Sequence, residues 1–392
     1  MISLQDYVGR EQTYVKHVFL SHYFARLVHK TASRFNHIAY VDGFAGPWQS
    51  ANERYEDTSF GIALTALCRA KASWRAHRRD VSMSAHLVER DKAAYARLEE
   101  IKARFPDITI KTYPTDFVAV APKILRDIPA QAFAFFFIDP KGWRIDVKAI
   151  FAILRRKNSE IVFNFMFDFI NRAASMRDAA IVKGLDELIL YGDWRAELER
   201  VQRASGSQPT PEQRKSILVA GFTETLSTIG NHPFVAETPV FRPLADRPLY
   251  CLFYATRHAK GVEVFRDCQI KTLEEQSSTR AAIRLQSNQN SSGQGELFRS
   301  LHEMGPNETA ELLADEREAA SHTLLELTPS APAFGIYGDI RAAVMTRHIV
   351  KSSDVNKIAA RFRKEGRLLF PDWVPKKKVP EAGYRVQRST AF

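Results

Sequence analysis

The chain has 392 residues and a mass of 44.6 kDa, and 45% of the residues are hydrophobic, so a wholly disordered protein is disfavoured and two or three domains are expected. No apolar run reaches the roughly 20 residues of a membrane helix, and the start lacks a secretory pattern, so we predict a soluble, cytoplasmic protein. Three scattered cysteines without metal-ligand spacing predict neither disulfides nor a zinc site.

The charge balance favours an anionic partner. Lys and Arg number 56 against 45 Asp and Glu, which gives a net charge of +11. Residues 331–392 hold thirteen Lys or Arg and five Asp or Glu, so eight of the eleven net charges lie in this segment. This excess predicts a separate basic module that binds nucleic acid, and a merely solubilising surface is the alternative.

From residue 36 onward, short β-branched or aromatic runs alternate with helical stretches, a pattern typical of an α/β domain with a mostly parallel sheet. A first helix at 12–31 would cover one end of this sheet. Strands are predicted at 38–42, 85–89, 108–112, 133–139 and 160–165, with helices between them at 58–72, 92–104, 117–126 and 147–154. The fourth strand is apolar on both faces, as expected of a central strand covered by helices.

After the fifth strand, the pattern predicts helices at 168–190, 193–203 and 211–229, then an antiparallel hairpin at 234–241 and 249–256. Residues 277–294 are rich in Ser, Asn and Gln and predict a flexible linker or exposed loop. We therefore divide the chain into a Rossmann-like domain 1–276 with a helical insertion near 168–230, a linker and connecting helix 277–328, and a basic domain 329–392.

The basic domain has the order helix, helix, strand, basic loop, strand, which is typical of a winged helix-turn-helix. Its helices are predicted at 338–345 and 354–365, with Ser353 capping the second, and its strands at 368–370 and 384–386. A winged helix can also mediate protein contacts, so that role stays open. The candidate phosphate-binding residues are Lys357 and Arg361 on the second helix and Lys376, Lys377 and Lys378 in the loop.

The first predicted strand ends in YVDGFAGPW, where Asp42 is followed by Gly43, Phe44 and Gly46. Glycines there suit a loop whose backbone approaches a ligand closely, because glycine has no Cβ to obstruct it. The dinucleotide fingerprint GxGxxG is absent. A tight turn without a ligand is the alternative reading.

Acidic residues also follow the next two strands. Glu89, in HLVERD, can accept both hydroxyls of a ribose, since the two oxygens of a carboxylate match a vicinal diol. Asp116 can accept from an adenine amino group while Phe117 packs against the ring, or it can cap the following helix.

The fourth strand leads into FFFIDPKGW, with Asp139, Pro140 and Trp143 at the carboxyl edge of the sheet. An Asp-Pro turn beside an aromatic suits amino-group chemistry on a base, because the carboxylate accepts from the amine and the aromatic stacks on a flipped ring. A turn that only ends the strand is the alternative. Further polar residues near this edge would form a wall for a substrate: Asn164, Asp168, Asn171 and Arg172.

This arrangement of strand-end residues resembles class I S-adenosylmethionine-dependent methyltransferases. More narrowly, YVDGFAGPW, HLVERD, FIDPKGW, FNFMFDFINR, YGDWR and LFYATRHAKG resemble the bacterial and phage-associated three-Cys-motif partner protein family, TcmP, across most of residues 1–275. The resemblance implies a Rossmann-like methyltransferase fold with S-adenosylmethionine as cofactor. It also implies a partner with a cysteine motif, similar to radical S-adenosylmethionine enzymes.

The resemblance further implies roles for the residues that match its motifs. Asp42, Gly43 and Gly46 would line the methionine end of the cofactor, Glu89 would hold the ribose, Asp116 the adenine, and Asp139, Pro140 and Trp143 would face the methyl acceptor. Two departures from the pattern occur. Trp48 stands where a glycine often follows the proline, and Lys141-Gly142 interrupts the DPPY pattern of amino-methyltransferases.

Three functional hypotheses follow. The first is an enzyme that transfers a methyl group from S-adenosylmethionine to nucleic acid. The second is a non-catalytic nucleic-acid-binding or adaptor protein that works with a partner protein. The third is a nuclease that holds a metal ion with Asp42, Glu89 and Asp139.

Overall fold

The computed structural model describes residues 4–7, 11–46, 50, 55–140, 142, 145–174, 176, 178–241, 248–292 and 304–389. The chain forms two compact units, Met1–Arg257 and His258–Phe392. Trp48, Lys141 and Trp143, which enter the sequence predictions, lie outside the described residues. In the described ranges, no helix has the length and hydropathy that crossing a bilayer requires.

A seven-stranded sheet forms the centre of the first unit. Its strands are β1 (His37–Asp42), β2 (Ser82–Val88), β3 (Thr109–Tyr113), β4 (Phe133–Ile138), β5 (Ser159–Phe165), β6 (Phe234–Phe241) and β7 (Pro248–Thr256). They lie in the order β3-β2-β1-β4-β5-β7-β6, and β7 is antiparallel to both of its neighbours whereas β1 to β5 are parallel. The prediction of a mixed α/β fold with a mostly parallel sheet and a C-terminal antiparallel hairpin is confirmed.

The strand order explains where a site can form. The chain runs from β1 outward to β2 and β3, then returns to β4 on the other side of β1. Such a reversal opens a crevice at the carboxyl ends of the strands, because the connections on either side leave in opposite directions. Every residue of β4 and β5 is buried, as expected of central strands covered on both faces.

The helices of the first unit cover the sheet. They are α1 (Glu11–Ala32), α2 (Ser59–Ala76), α3 (Lys92–Ile101), α4 (Phe117–Asp127), α5 (Phe151–Leu154), α6 (Phe167–Ala173), α7 (Ala179–Leu188), α8 (Trp194–Ser205) and α9 (Pro211–Gly230).

Two helix predictions need correction. The single helix expected at 168–190 is two helices, because the Asp178 carboxylate accepts from the N–H groups of Ala180 and Ile181 and so starts α7 as a new helix. The helix expected at 147–154 is only the four-residue α5. The Asp146 carboxylate accepts from the N–H groups of two following residues and holds them in a turn instead.

The second unit contains four helices and a small sheet within its described residues. The helices are α10 (Ala259–Ser292), α11 (Met304–Leu327), α12 (Tyr337–Arg347) and α13 (Ser352–Lys364), and the strands are β8 (Gly335–Ile336), β9 (Leu368–Leu369) and β10 (Arg385–Arg388). The strands lie in the order β8-β10-β9, with both pairs antiparallel. The segment from β8 to β10 thus has the order strand, helix, helix, strand, strand.

Two predictions about this unit also differ from the structure. The linker expected at 277–294 is helical as far as Ser292, and the boundary expected at 276 falls inside α10. Its polar residues Gln276, Ser277 and Thr279 are buried, so their polarity does not mark an exposed loop. Ser353 does not cap α13, which begins one residue earlier; the Lys351 N–H donates to the Asp354 carboxylate at 3.0 Å.

Candidate functional site

A cavity of about 690 Å³ opens at the carboxyl ends of the parallel strands in the first unit. Residues from several separate segments line it, after β1, β2, β3 and β4 and on α1, β5 and β7. Nine of the residues predicted from sequence lie at this cavity: Gly43, Phe44, Gly46, Glu89, Asp116, Phe117, Asp139, Pro140 and Asn164. Strand-end positions far apart in the sequence are therefore brought together at one edge of the sheet.

The loop after β1 is held close to the sheet. The Gly43 N–H donates to the Phe137 carbonyl at 3.0 Å, and the Ala45 N–H donates to the Val88 carbonyl at 2.8 Å. A Cβ on Gly43 would lie 3.0 Å from the Phe117 ring, so a larger residue there would push the ring away by a few tenths of an ångström. The glycine thus allows backbone and aromatic ring to form one wall of the cavity.

Asp42 lies beneath this loop and does not line the cavity. It is fully buried and accepts three hydrogen bonds, from the Tyr40 hydroxyl at 2.9 Å, the Phe44 N–H at 3.0 Å and the Ser59 hydroxyl at 2.6 Å. Burial raises the pKa of Asp42 to about 6. The structure gives Asp42 a bracing position, since it ties the loop to β1 and to the start of α2.

Glu89 and Asp116 lie at the part of the cavity nearest β2 and β3. Glu89 is 5% exposed, and its Oε1 accepts from the Asp91 N–H at 2.6 Å. This bond fixes the orientation of the carboxylate, and Oε2 has no hydrogen-bond partner among the described residues. Asp116 caps α4, because its Oδ1 accepts from the Val118 N–H at 2.9 Å. Asp116 therefore caps α4 and also lines the cavity.

Asp139 lies at the opposite part of the cavity, directly after β4. Its Oδ2 accepts from the Lys16 ammonium group and its Oδ1 accepts from the Asn164 amide. The side chains of Lys16 and Asp139 are 11% and 20% exposed, so this ion pair is shielded from solvent more than a surface pair. The two bonds come from α1 and β5 and orient the carboxylate from both sides.

Lys16 and Tyr250 are the cavity residues that sequence reasoning missed most clearly. Lys16 lies on α1, which was predicted to cover one end of the sheet, and its ammonium lies 5.8 Å from the centre of the Tyr250 ring. Residues 14–20 of α1 are otherwise mostly buried. A lysine within such a run is costly to bury unless it is paired, and this signal could have identified it.

The polar wall expected after β5 forms only in part. Asn164 and Met166 line the cavity. Asn171 and Arg172 do not: the Asn171 Oδ1 accepts from Arg214 at 2.9 Å, and the Arg172 guanidinium lies 4.9 Å from the Phe169 ring. The side chain of Asp168 lies outside the described residues.

The acids named in the nuclease hypothesis do not form a metal centre. In the ranges described above, no three His, Cys, Asp or Glu side chains are grouped so that they could hold a metal ion. Asp42 makes its bonds under the loop, Glu89 bonds to the start of α3, and Asp139 bonds to Lys16 and Asn164.

The predicted phosphate-binding residues lie on the surface of the second unit. Lys357 and Arg361 are exposed on α13, and Lys376, Lys377 and Lys378 are exposed in the segment between β9 and β10. Two of them have acidic neighbours: Arg361 lies 3.8 Å from Glu365, and Lys377 lies 2.7 Å from Glu381.

No family model and no curated protein matches the chain. The motif resemblance to the three-Cys-motif partner family therefore stays a prediction.

Solved structures with some similarity include protein LPL1258 from Legionella pneumophila strain Philadelphia 1, of the family DUF519, at 12% identity and a TM-score of 0.34, covering 63% of this chain and 85% of that one. A loganic acid methyltransferase with SAH matches at 9% identity and a TM-score of 0.28, covering 79% and 90%. The 23S rRNA methyltransferase ErmE matches at 14% identity and a TM-score of 0.21, covering 50% and 96%. With all three scores below 0.5, these similarities carry no argument about function.

Proposed function

We propose that the first unit binds S-adenosylmethionine in this cavity and transfers its methyl group to nucleic acid, which the second unit holds by its phosphates. The observation that supports the proposal is the convergence of Glu89, Asp116, the Gly43 loop and Asp139 on one cavity of about 690 Å³ at the carboxyl edge of the sheet. A cavity of this size suits a nucleoside-sized ligand, since small-molecule pockets measure roughly 300–1,000 Å³.

The residues nearest β2 and β3 fit an adenosine group. The Glu89 carboxylate is held by the Asp91 N–H and has one oxygen without a protein partner, so it can accept hydrogen bonds from ribose hydroxyls. Asp116 can accept from an amino group beside the Phe117 ring, and Phe44 lies 5.8 Å from that ring. The Phe117 ring packs against the Gly43 backbone and both line the cavity, so they form one wall that a ligand can contact.

The residues nearest β4 and β5 suit an amine acceptor. S-adenosylmethionine would supply a methyl carbon activated by its sulfonium group. The residues of this chain would position the acceptor amine in line, accept hydrogen bonds from its N–H groups and take up the proton that the nitrogen loses when it is methylated. Asp139 is oriented for this by Lys16 and Asn164. Each carboxylate oxygen retains a further lone pair, so Asp139 can accept from an acceptor amine without losing these bonds.

The second unit is proposed to be a winged helix. The order of β8, α12, α13, β9 and β10 supports this reading, with α13 as the recognition helix and the β9–β10 loop as the wing. Exposed cations on both elements can neutralise phosphates, which gives affinity that falls with salt concentration. On the motif resemblance alone, we add a three-Cys-motif protein as a proposed partner, and co-purification of the two tagged proteins tests it.

The proposal is tested by calorimetry with S-adenosylmethionine and by transfer of a labelled methyl group to DNA and RNA, using the full chain. The Asp139→Ala variant should lose transfer by about 100-fold or more while it still binds the cofactor, since a positioned proton acceptor contributes roughly 100-fold to 10,000-fold. Asp80→Ala, at an exposed site before β2, is the matched control and should behave as wild type.

The outcomes separate the hypotheses. Absence of cofactor binding would reject the proposal as a whole. Cofactor binding without transfer to either nucleic acid would favour the adaptor hypothesis. Transfer that persists in Asp139→Ala would leave the enzyme reading intact but remove Asp139 from the acceptor site.

A further inference from the structure

The side chains of Lys16, Asn164 and Asp139 form one corner of the cavity. Lys16 and Asn164 have no role in the proposed cofactor binding. Lys16 and Asn164 bond to the two oxygens of the same Asp139 carboxylate, one from α1 and one from β5. Because the two oxygens of a carboxylate share one carbon, the lysine ammonium and the asparagine amide lie on either side of a single group.

The Asn164 Oδ1 atom is buried and has no hydrogen-bond partner among the described residues. The residue as a whole is 3% exposed and lines the cavity. Its orientation is determined by the other end of the amide, since Nδ2 must face the Asp139 carboxylate. The oxygen cannot exchange places with the nitrogen without bringing two acceptors together. A buried acceptor left unpaired costs free energy, so a ligand N–H at this position would be stabilising.

Lys16 adds a hydrogen-bond donor to the same corner. An ammonium group has three N–H bonds, and the described contacts of Lys16 are the Asp139 carboxylate and the face of the Tyr250 ring. The Asp139 carboxylate thus lies between one charged donor, Lys16, and the Asn164 amide, whose oxygen is a second acceptor. The Tyr250 ring is buried and lines the cavity next to them.

We propose that this corner recognises the amidine edge of a nucleobase, the H₂N–C=N group of cytosine or adenine. The inference rests on the proposed function and deepens it by naming the chemical class of the acceptor. The two hydrogens of the exocyclic amine face the Asn164 oxygen and the Asp139 carboxylate, and the adjacent ring nitrogen accepts from Lys16. Lys16 and Asn164 then determine specificity, in addition to Asp139.

The same corner disfavours bases that carry an oxo group in place of the amine. An exocyclic oxygen would direct its lone pairs at the Asn164 oxygen and the Asp139 carboxylate, and the neighbouring ring N–H would face the Lys16 ammonium. Two of these contacts would then place acceptor against acceptor, and the third would place donor against donor. Cytidine and uridine differ in this edge alone, so they form a matched pair of probes.

The test titrates the full chain with cytidine and with uridine by saturation-transfer NMR, in the presence of saturating S-adenosylhomocysteine to fill the cofactor end of the cavity. Cytidine should bind at least about tenfold more tightly than uridine, as a good bidentate contact discriminates by roughly 5-fold to 150-fold. Asn164→Leu and Lys16→Met should each reduce this preference to less than about threefold. Lys16→Arg should restore part of it, because the guanidinium keeps the donors.

Lys30→Met is the matched control, because Lys30 is exposed near the end of the same helix and the substitution removes the same charge. Its cytidine preference should equal that of wild type. If Asn164→Leu fails to fold, as judged by loss of S-adenosylhomocysteine binding and of the circular dichroism spectrum, Asn164→Ser replaces it.

Equal affinity for cytidine and uridine in wild type overturns the inference, as does a preference that persists unchanged in the Asn164 and Lys16 variants. Both results are compatible with cofactor binding, so they leave the proposed function standing. If S-adenosylhomocysteine does not bind, the proposed function fails. The nucleoside titrations without it then still decide the inference, since only binding in the corner depends on Lys16 and Asn164.

Discussion

The two units of the chain use charge in opposite ways. In the first unit, the key carboxylates Asp42 and Glu89 are 0% and 5% exposed, and each is held by hydrogen bonds from defined groups. In the second unit, the lysines at 376–378 are exposed, and of the three only Lys377 has an acidic partner among the described residues. At the candidate sites, charge is therefore fixed by geometry in the first unit and presented to solvent in the second.

This difference has a consequence for binding. Buried groups act through a few short contacts in a low-dielectric environment, which salt screens weakly. Exposed cations act through the summed potential of a surface, which salt screens strongly. Ligand binding by the first unit should depend on single residues and little on ionic strength, whereas binding by the second should depend on the number of cations.

The largest effect is expected at Asp42, as a dependence of stability on pH. Its pKa is about 6 in the folded chain against an ordinary value of 3.8, so the folded state retains the proton longer than the unfolded state does. Stability from this group is therefore present below pH 3.8 and is lost as the pH rises towards 6, by about 3 kcal/mol. In Asp42→Asn, which cannot ionise, this loss should be absent.

Urea unfolding between pH 4 and pH 7, followed by circular dichroism, measures this effect as the difference in unfolding free energy between wild type and Asp42→Asn. Two buried histidines, His86 and His232, have their pKa values lowered to about 4 by burial and act in the opposite direction, but they are common to both proteins. Their contributions cancel in the difference. A difference that stays constant across this pH range would contradict the prediction.

The next effect is the loss of cofactor affinity in Glu89→Ala. Removing hydrogen bonds to a charged group costs about 1.5–3 kcal/mol, so S-adenosylhomocysteine should bind roughly 10-fold to 100-fold more weakly. The ratio of the two affinities should be the same at 50 mM and at 300 mM NaCl, because the contact is between a buried carboxylate and neutral hydroxyls. Calorimetry measures both. Glu100→Ala, on the exposed face of α3, is the control, and an equal loss there would remove Glu89 from the binding site.

Much of the sheet could be predicted from sequence because each strand is marked by residues within or directly after it. The apolar run of β4 and the turn-forming residues after each strand determine the strands within about three residues of their observed bounds. Other features depend on contacts between distant residues. The polar residues Gln276, Ser277 and Thr279 of α10 suggest a linker until their burial is seen. The division of 168–190 into α6 and α7 depends on a side-chain cap at Asp178.

The same distinction applies to the cavity. Glu89, Asp116 and Asp139 could be placed at one edge because residues that follow parallel strands meet there. Lys16 could be recognised as an unusual lysine on a buried helix face, but it could not be placed at this edge, because α1 precedes the sheet in sequence and its direction across the edge is set by tertiary packing. The bracing position of Asp42 was also missed, since sequence shows an acidic residue before a glycine but not which donors surround it.

A smaller effect is expected from the surface of the second unit. Replacing Lys376, Lys377 and Lys378 together by Ala should weaken DNA or RNA binding about tenfold at 150 mM salt and reduce the slope of log affinity against log salt by about 2 to 3. S-adenosylhomocysteine affinity should not change. The matched control replaces three exposed lysines of the first unit, Lys148, Lys157 and Lys183. Equal weakening by both triple variants would show that net charge alone is responsible.

The smallest effect distinguishes the lysines within this loop. Lys377 lies 2.7 Å from Glu381, so part of its charge is already neutralised, whereas Lys376 has no such neighbour among the described residues. Lys377→Ala should therefore weaken nucleic-acid binding less than Lys376→Ala, and Glu381→Gln should strengthen it about twofold by releasing Lys377. Glu326→Gln, at an exposed site on α11, makes the same change in net charge. If it strengthens binding as much as Glu381→Gln in filter-binding titrations, the ion pair has no specific role and the second unit acts by total charge.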